Sequence, residues 1–73
     1  MLVNMDVKYR FSERLRNLRK REGLSQQELS ELSNIEYKHI QRLESKRPCD
    51  VKLSTLEKLA SAFKMSLSRL LNF

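Results

Sequence analysis

Apolar residues recur along this chain at helical spacing, with short polar stretches between the recurrences. Phe11, Leu15 and Leu18 keep the i, i+4, i+7 rhythm of one helix face, and Gly23 follows where a C-terminal stop belongs. The pattern predicts a first helix over about Ser12 to Glu22. Ser25 opens "SQQE", a capping box in which the serine hydroxyl accepts from the Glu28 backbone N–H while Glu28 reaches back, with Leu24 and Leu29 at staple positions. A second helix then runs to about Ser33, with Leu29 and Leu32 facing inward.

Asn34 tolerates the left-handed backbone region and suits a tight turn. Ile35 and Ile40 repeat the staple spacing around Glu36, so a third helix is expected over Tyr37 to Ser45, burying Ile40 and Leu43 and exposing Tyr37, Lys38, Gln41 and Arg42. "SKRPCDVKL" is a loop, because Pro48 cannot continue a helix. "STLE" at Ser54 to Glu57 reads as a second capping box, followed by the inward stripe Leu56, Leu59, Ala60 and Phe63 of a fourth helix. Ser66 caps a last short helix carrying Leu67, Leu70 and Leu71 and ending in Phe73. The expectation is an all-α, five-helix domain.

Composition narrows the class. At 73 residues the chain is read as a single domain, near the lower limit for one apolar core, since such chains bury only about 60% of their unfolded surface. No apolar run reaches the roughly 18 residues of a membrane span, and "MLVNMDVKYR" has no signal-peptide pattern, so a cytoplasmic protein without membrane association is expected. Cys49 is alone and reads as a bystander thiol, and one Cys with one His cannot build a structural zinc site. No metal, cofactor or small-molecule ligand is expected.

The net charge is +6 with a pI near 9.9, which favours an anionic partner. Lys8, Arg10, Arg14, Arg16, Arg19, Lys20 and Arg21 crowd the stretch from Lys8 to Arg21, which holds Glu13 as its one acid. Lys38, Arg42, Lys46, Arg47 and Lys52 form a second group. A solvated helix face accounts for either group taken singly; two groups flanking the acidic Glu28, Glu31 and Glu36 point equally to a shared binding face.

Helices two and three, joined by a three- or four-residue turn, have the shape of a helix-turn-helix, which offers its second helix to the DNA major groove. That groove is about 12 Å wide and admits one helix, and residues near the helix N-terminus reach base edges first. Tyr37, Lys38 and His39 occupy this first turn. Arg42 suits guanine, because its fork bonds O6 and N7 together. Tyr37 could meet a phosphate, meet a thymine methyl or cover the helix start. Lys46, Arg47 and Lys52 suit phosphates, since loops beside such a helix meet the backbone.

"LRNLRKREGLSQQELSELSNIEYKHIQRLESKR" followed by "STLEKLASAFKMSLSRLL" resembles the five-helix DNA-binding domain of phage repressor and Cro-type (XRE-like) transcription regulators. The likeness covers about Phe11 to Leu71 and leaves residues 1–10 as an N-terminal extension. It implies a regulator, read as a repressor, of double-stranded DNA, with Gln26 on the backbone and Tyr37, Lys38 and Arg42, then Gln41 and His39 as lesser candidates, at the exposed recognition positions. Tyr37, Lys38, Gln41 and Arg42 are taken as base contacts, and His39 joins Gln26, Lys46, Arg47 and Lys52 as a backbone contact. The likeness also implies a structural Arg19 to Glu44 salt bridge. Asn34, Ser30 and Lys46 stand where the family usually has Gly, Ala and Gly.

Leu67, Leu70, Leu71 and Phe73 are read as partly core, yet a short terminal helix with an apolar end exceeds what a small core needs, so a homodimer surface is the sharper reading there. Such a dimer would face successive major grooves of a pseudo-palindromic site about 34 Å apart. No catalytic constellation is present in the sequence, and a non-enzyme is expected. The rival reading is an antitoxin-like protein-interaction module on the same fold.

Overall fold

The computed structural model describes residues 6–73; Met1 to Met5 of the N-terminal extension lie outside them. Asp6 starts the first helix, its carboxylate accepting from the Lys8 backbone N–H at 2.8 Å, and α1 runs Val7–Arg21. It therefore begins more than a turn before Ser12. Ser12 is no boundary: it is fully buried, and its hydroxyl accepts from Arg16. The helix ends on Gly23 at φ +69°, where the Gly23 and Leu24 N–H groups return to the Lys20 and Arg19 carbonyls. Arg19, Lys20 and Arg21 in its last turn complement the helix dipole.

Both halves of the Ser25 capping box form, and α2 spans Gln26–Ser33. Its inward face differs from the expected one. Leu29 is fully buried, but Leu32 is 59% exposed, and Ser33 takes the inward place, donating its hydroxyl to the Leu29 carbonyl at 2.7 Å. The i, i+4 pair faces the core rather than the i, i+3 pair.

The third helix, α3, spans Tyr37–Leu43 and buries Ile40 and Leu43, ending slightly before Ser45 with Glu44 as its C-cap. The fourth, α4, spans Leu53–Ala62. Lys52, not Ser54, is its N-cap, with the Lys52 carbonyl accepting from Leu56, so the second capping box does not form. Leu56, Leu59, Ala60 and Phe63 line the core. After α4, Lys64 takes φ 57°, a left-handed conformation in a non-glycine residue.

Ser66 caps α5, Leu67–Leu70, accepting from the Arg69 N–H. Arg14 reaches across from α1 and donates to the Arg69 and Leu70 carbonyls, closing the end of α5. Leu70 corrects the expected dimer surface, because it is 0% exposed and spent on the core of its own chain. Leu67 packs half-buried against that core. Leu71 and Phe73 remain exposed, with Phe73 tilted on Phe11 at 6.2 Å between ring centroids and the Arg10 guanidinium over the Phe73 ring at 5.5 Å.

The core thus draws on every helix: Phe11, Leu15 and Leu18 from α1, Leu29 from α2, Ile40 and Leu43 from α3, Leu56 and Leu59 from α4, Leu70 from α5. Each such side chain stabilises the fold by about 1.5–3 kcal/mol through burial.

Candidate nucleic-acid interface

The site is set by the turn between α2 and α3. Asn34 adopts φ 59° and ψ 33°, and the Asn34 and Ile35 N–H groups both return to the Ser30 carbonyl. Asn is one of the few non-glycine side chains that visits this region readily, so the turn forms without a glycine. The Ser30 hydroxyl donates to the Ile35 carbonyl, so the serine adds a brace across the turn that alanine could not supply. Ile35 is buried and locks the start of α3 against the core.

With Ile40 and Leu43 inward, the helical period leaves Tyr37, Lys38, Gln41 and Arg42 on the outer face, and all four are exposed. His39 sits half-buried at the flank of that face. Lys46 and Arg47, just after α3, and Lys52, at the start of α4, are exposed. The base-reading candidates therefore share one helix face, with His39 at its flank and Lys46, Arg47 and Lys52 exposed along the segment that follows α3. Lys46 needs no left-handed geometry; among the described non-glycine residues that feature belongs to Asn34 and Lys64.

Glu44 anchors the end of α3. Its side chain is 3% exposed and accepts from Arg19 Nε at 2.7 Å and Nη2 at 2.9 Å, and from Gln26 Nε2 at 3.0 Å. Arg19 also donates to the Leu24 carbonyl, tying the loop before α2 into the same knot. The hydrogen bond to Glu44 raises the Arg19 pKa above its ordinary value, opposed by burial and aided by the carboxylate charge. Arg19 thus stays charged at every ordinary pH. Gln26 commits one amide hydrogen to Glu44, which leaves its second hydrogen and its carbonyl oxygen for other partners.

Beside this knot lies a cleft of about 510 Å³ whose wall includes Tyr9, Arg16, Lys20, Gln26 and Lys46. Tyr9, Arg16 and Lys20 were not among the sequence-derived contacts. The charge of Arg16 and Lys20 is visible in the sequence, but its convergence with Tyr9 and Lys46 depends on how α1 packs.

A family model described as the Cro/C1-type HTH DNA-binding domain matches residues 14–73. The chain belongs to that family. No curated protein matches it. As a Cro/C1-type domain it is an all-helical DNA-binding unit, and membership implies a role in transcription regulation. The Cro/C1-type motif is α2–turn–α3, and the match leaves the first two turns of α1 outside it. Among the described residues no helix is long and apolar enough to cross a membrane.

Proposed function

We propose that this chain is a small repressor that acts as a single domain, seats α3 in the major groove and reads a defined double-stranded sequence. The observation that carries this reading is the exposed face of Tyr37, Lys38, Gln41 and Arg42 opposite buried Ile40 and Leu43. Those four side chains contact base edges, with Arg42 the reader of guanine. Gln26, His39, Lys46, Arg47 and Lys52 contact the sugar-phosphate backbone and supply affinity without sequence choice. Leu67, Leu71 and Phe73 join two copies so that both α3 helices face one side of a pseudo-palindromic site, about 34 Å apart.

Selection of bound duplexes from a random pool tests the reading, followed by anisotropy titration of the selected duplex against random DNA over a salt series. A palindromic winner with a large specificity ratio supports a dimeric regulator. Binding that only tracks salt, with no enrichment, overturns sequence reading by α3.

A protein-interaction role has one observation in its favour. A shallow groove of about 590 Å³ between α2 and α4 is lined by Leu32, Ala60, Met65 and Leu67, and Leu32 is largely exposed. Absence of DNA enrichment would direct attention to that groove.

A further inference from the structure

The family match begins at residue 14 and α1 begins at Val7, so nearly two helical turns lie ahead of the matched residues. They are ordered by local bonds and by contact with the rest of the fold. Asp6 caps them, Phe11 is buried in the core, and Lys8 Nζ lies 3.7 Å from Asp50 Oδ1 in the loop after α3. A hollow of about 340 Å³ includes Lys8, Tyr9, Lys46 and Arg47 in its wall. This hollow and the cleft beside Glu44 share Tyr9 and Lys46, so they form one strip. The strip touches Gln26 at the start of α2 and the residues that follow α3, and is therefore continuous with the helix-turn-helix face.

Its charge suits an anion. Lys8, Lys20, Lys46 and Arg47 present ammonium and guanidinium groups, and the exposed Tyr9 brings a phenol that can donate. Four carboxylates lie nearby. Glu44 is satisfied by Arg19 and Gln26, Asp6 caps α1, and Asp50 is 94% exposed in a long contact that a stronger anion would displace. Glu13 is the exposed acid on the cleft wall.

We propose that the first two turns of α1, with Lys20 and the loop after α3, form a phosphate-binding flank in which Lys8, Tyr9 and Lys20 contact the DNA backbone beside the segment occupied by α3. This rests on the DNA-binding reading. Phosphate contacts are blind to sequence, so the flank raises affinity for all duplexes alike and steepens the salt dependence.

The test is anisotropy titration of the full chain and of Lys8→Ala/Tyr9→Phe/Lys20→Ala against a labelled random duplex and a selected duplex in a potassium chloride series. The triple variant is expected to flatten the slope of log K against log salt by about 2, since each lost lysine contact removes about 0.9. Its fractional loss of affinity should be equal on both duplexes. Glu13→Gln should bind both more tightly. An unchanged slope and affinity in the triple variant, with salt-dependent binding by the unaltered chain, overturns the flank and leaves the α3 reading standing. Failure of the unaltered chain to bind any duplex overturns both. Should the triple variant melt early, Lys20→Ala and Glu13→Gln, both at exposed positions, decide the matter by the same slopes.

Discussion

The Arg19 guanidinium meets the Glu44 carboxylate edge to edge, Nε 2.7 Å from Oε2 and Nη2 2.9 Å from Oε1. One residue belongs to α1 and the other closes α3, so this fork sets the angle at which α3 leaves the body of the domain. Side chains of both are largely removed from water, which makes the loss of either partner expensive. Glu44→Ala strands Arg19 and one hydrogen of Gln26 and is expected to cost about 3 kcal/mol, a fall in Tm of roughly 10–20 °C. Thermal unfolding followed by circular dichroism measures it, and an unchanged Tm would remove the pair from the stability account. Because the Arg19 pKa is raised, its share of the stability is complete at all pH values below the unfolded-state value and fades only in strong alkali.

Arg42 stands on the exposed face of α3, while Arg47 lies in the loop beyond it. Arg42→Ala is expected to weaken a selected site by about 1–3 kcal/mol while affecting random DNA less. Arg47→Ala is expected to weaken both equally and to reduce the salt slope by about 1. Parallel titrations on the two duplexes separate these behaviours. Equal losses for Arg42→Ala would make that residue a phosphate contact.

Leu29 and Leu32 lie on one helix within a turn of each other, with opposite fates: 0% and 59% exposed. Leu29→Ala opens a cavity among α2, α3 and α4 and is expected to cost about 2–5 kcal/mol. Leu32→Ala should stay within about 0.5 kcal/mol. Urea unfolding of the two variants gives the comparison directly, and similar losses would contradict the packing of α2.

Lys64 holds φ 57° between α4 and α5, with the Met65 N–H returning to the Ala60 carbonyl. A side chain there costs about 1–2 kcal/mol that glycine avoids, less the backbone entropy glycine forfeits. Lys64→Gly is therefore expected to stabilise the domain by up to about 1 kcal/mol, and Asn34→Gly by less, because asparagine already tolerates the conformation. A lower Tm for Lys64→Gly would show that its side chain makes a contact worth more than the strain.

Much of the helical framework was legible in the sequence where the signal is local. The Ser25 box satisfies its donors within four consecutive residues, and Leu56, Leu59 and Phe63 repeat at the period of one face, so neither needs distant information. Ser54 carries the same local signature but sits within the first turn of α4, because the chain enters that helix from Lys52 and the earlier carbonyl takes the first bond. A capping box in sequence is permission to start, and the approach of the chain decides whether it is used. The start of α1 lies earlier than the apolar rhythm of Phe11, Leu15 and Leu18 indicates, because the turn before Phe11 is largely polar and exposed and is started by the Asp6 cap rather than by core-facing residues.

By itself, the sequence determined five helices, the turn at Asn34 and the polar outer face of α3, since hydrogen bonds and periodicity within a few residues specify them. Tertiary structure decided which leucines were spent on the core, turning Leu32 outward and Leu70 inward. It also sorted the basic residues of α1: Arg14 closes α5, Arg19 holds Glu44, and Lys8 and Lys20 line the strip beside α2 and the loop after α3. Residues that look alike along the chain take different roles because a helix presents successive side chains about 100° apart, and only packing settles which direction meets water, a carboxylate or an open carbonyl.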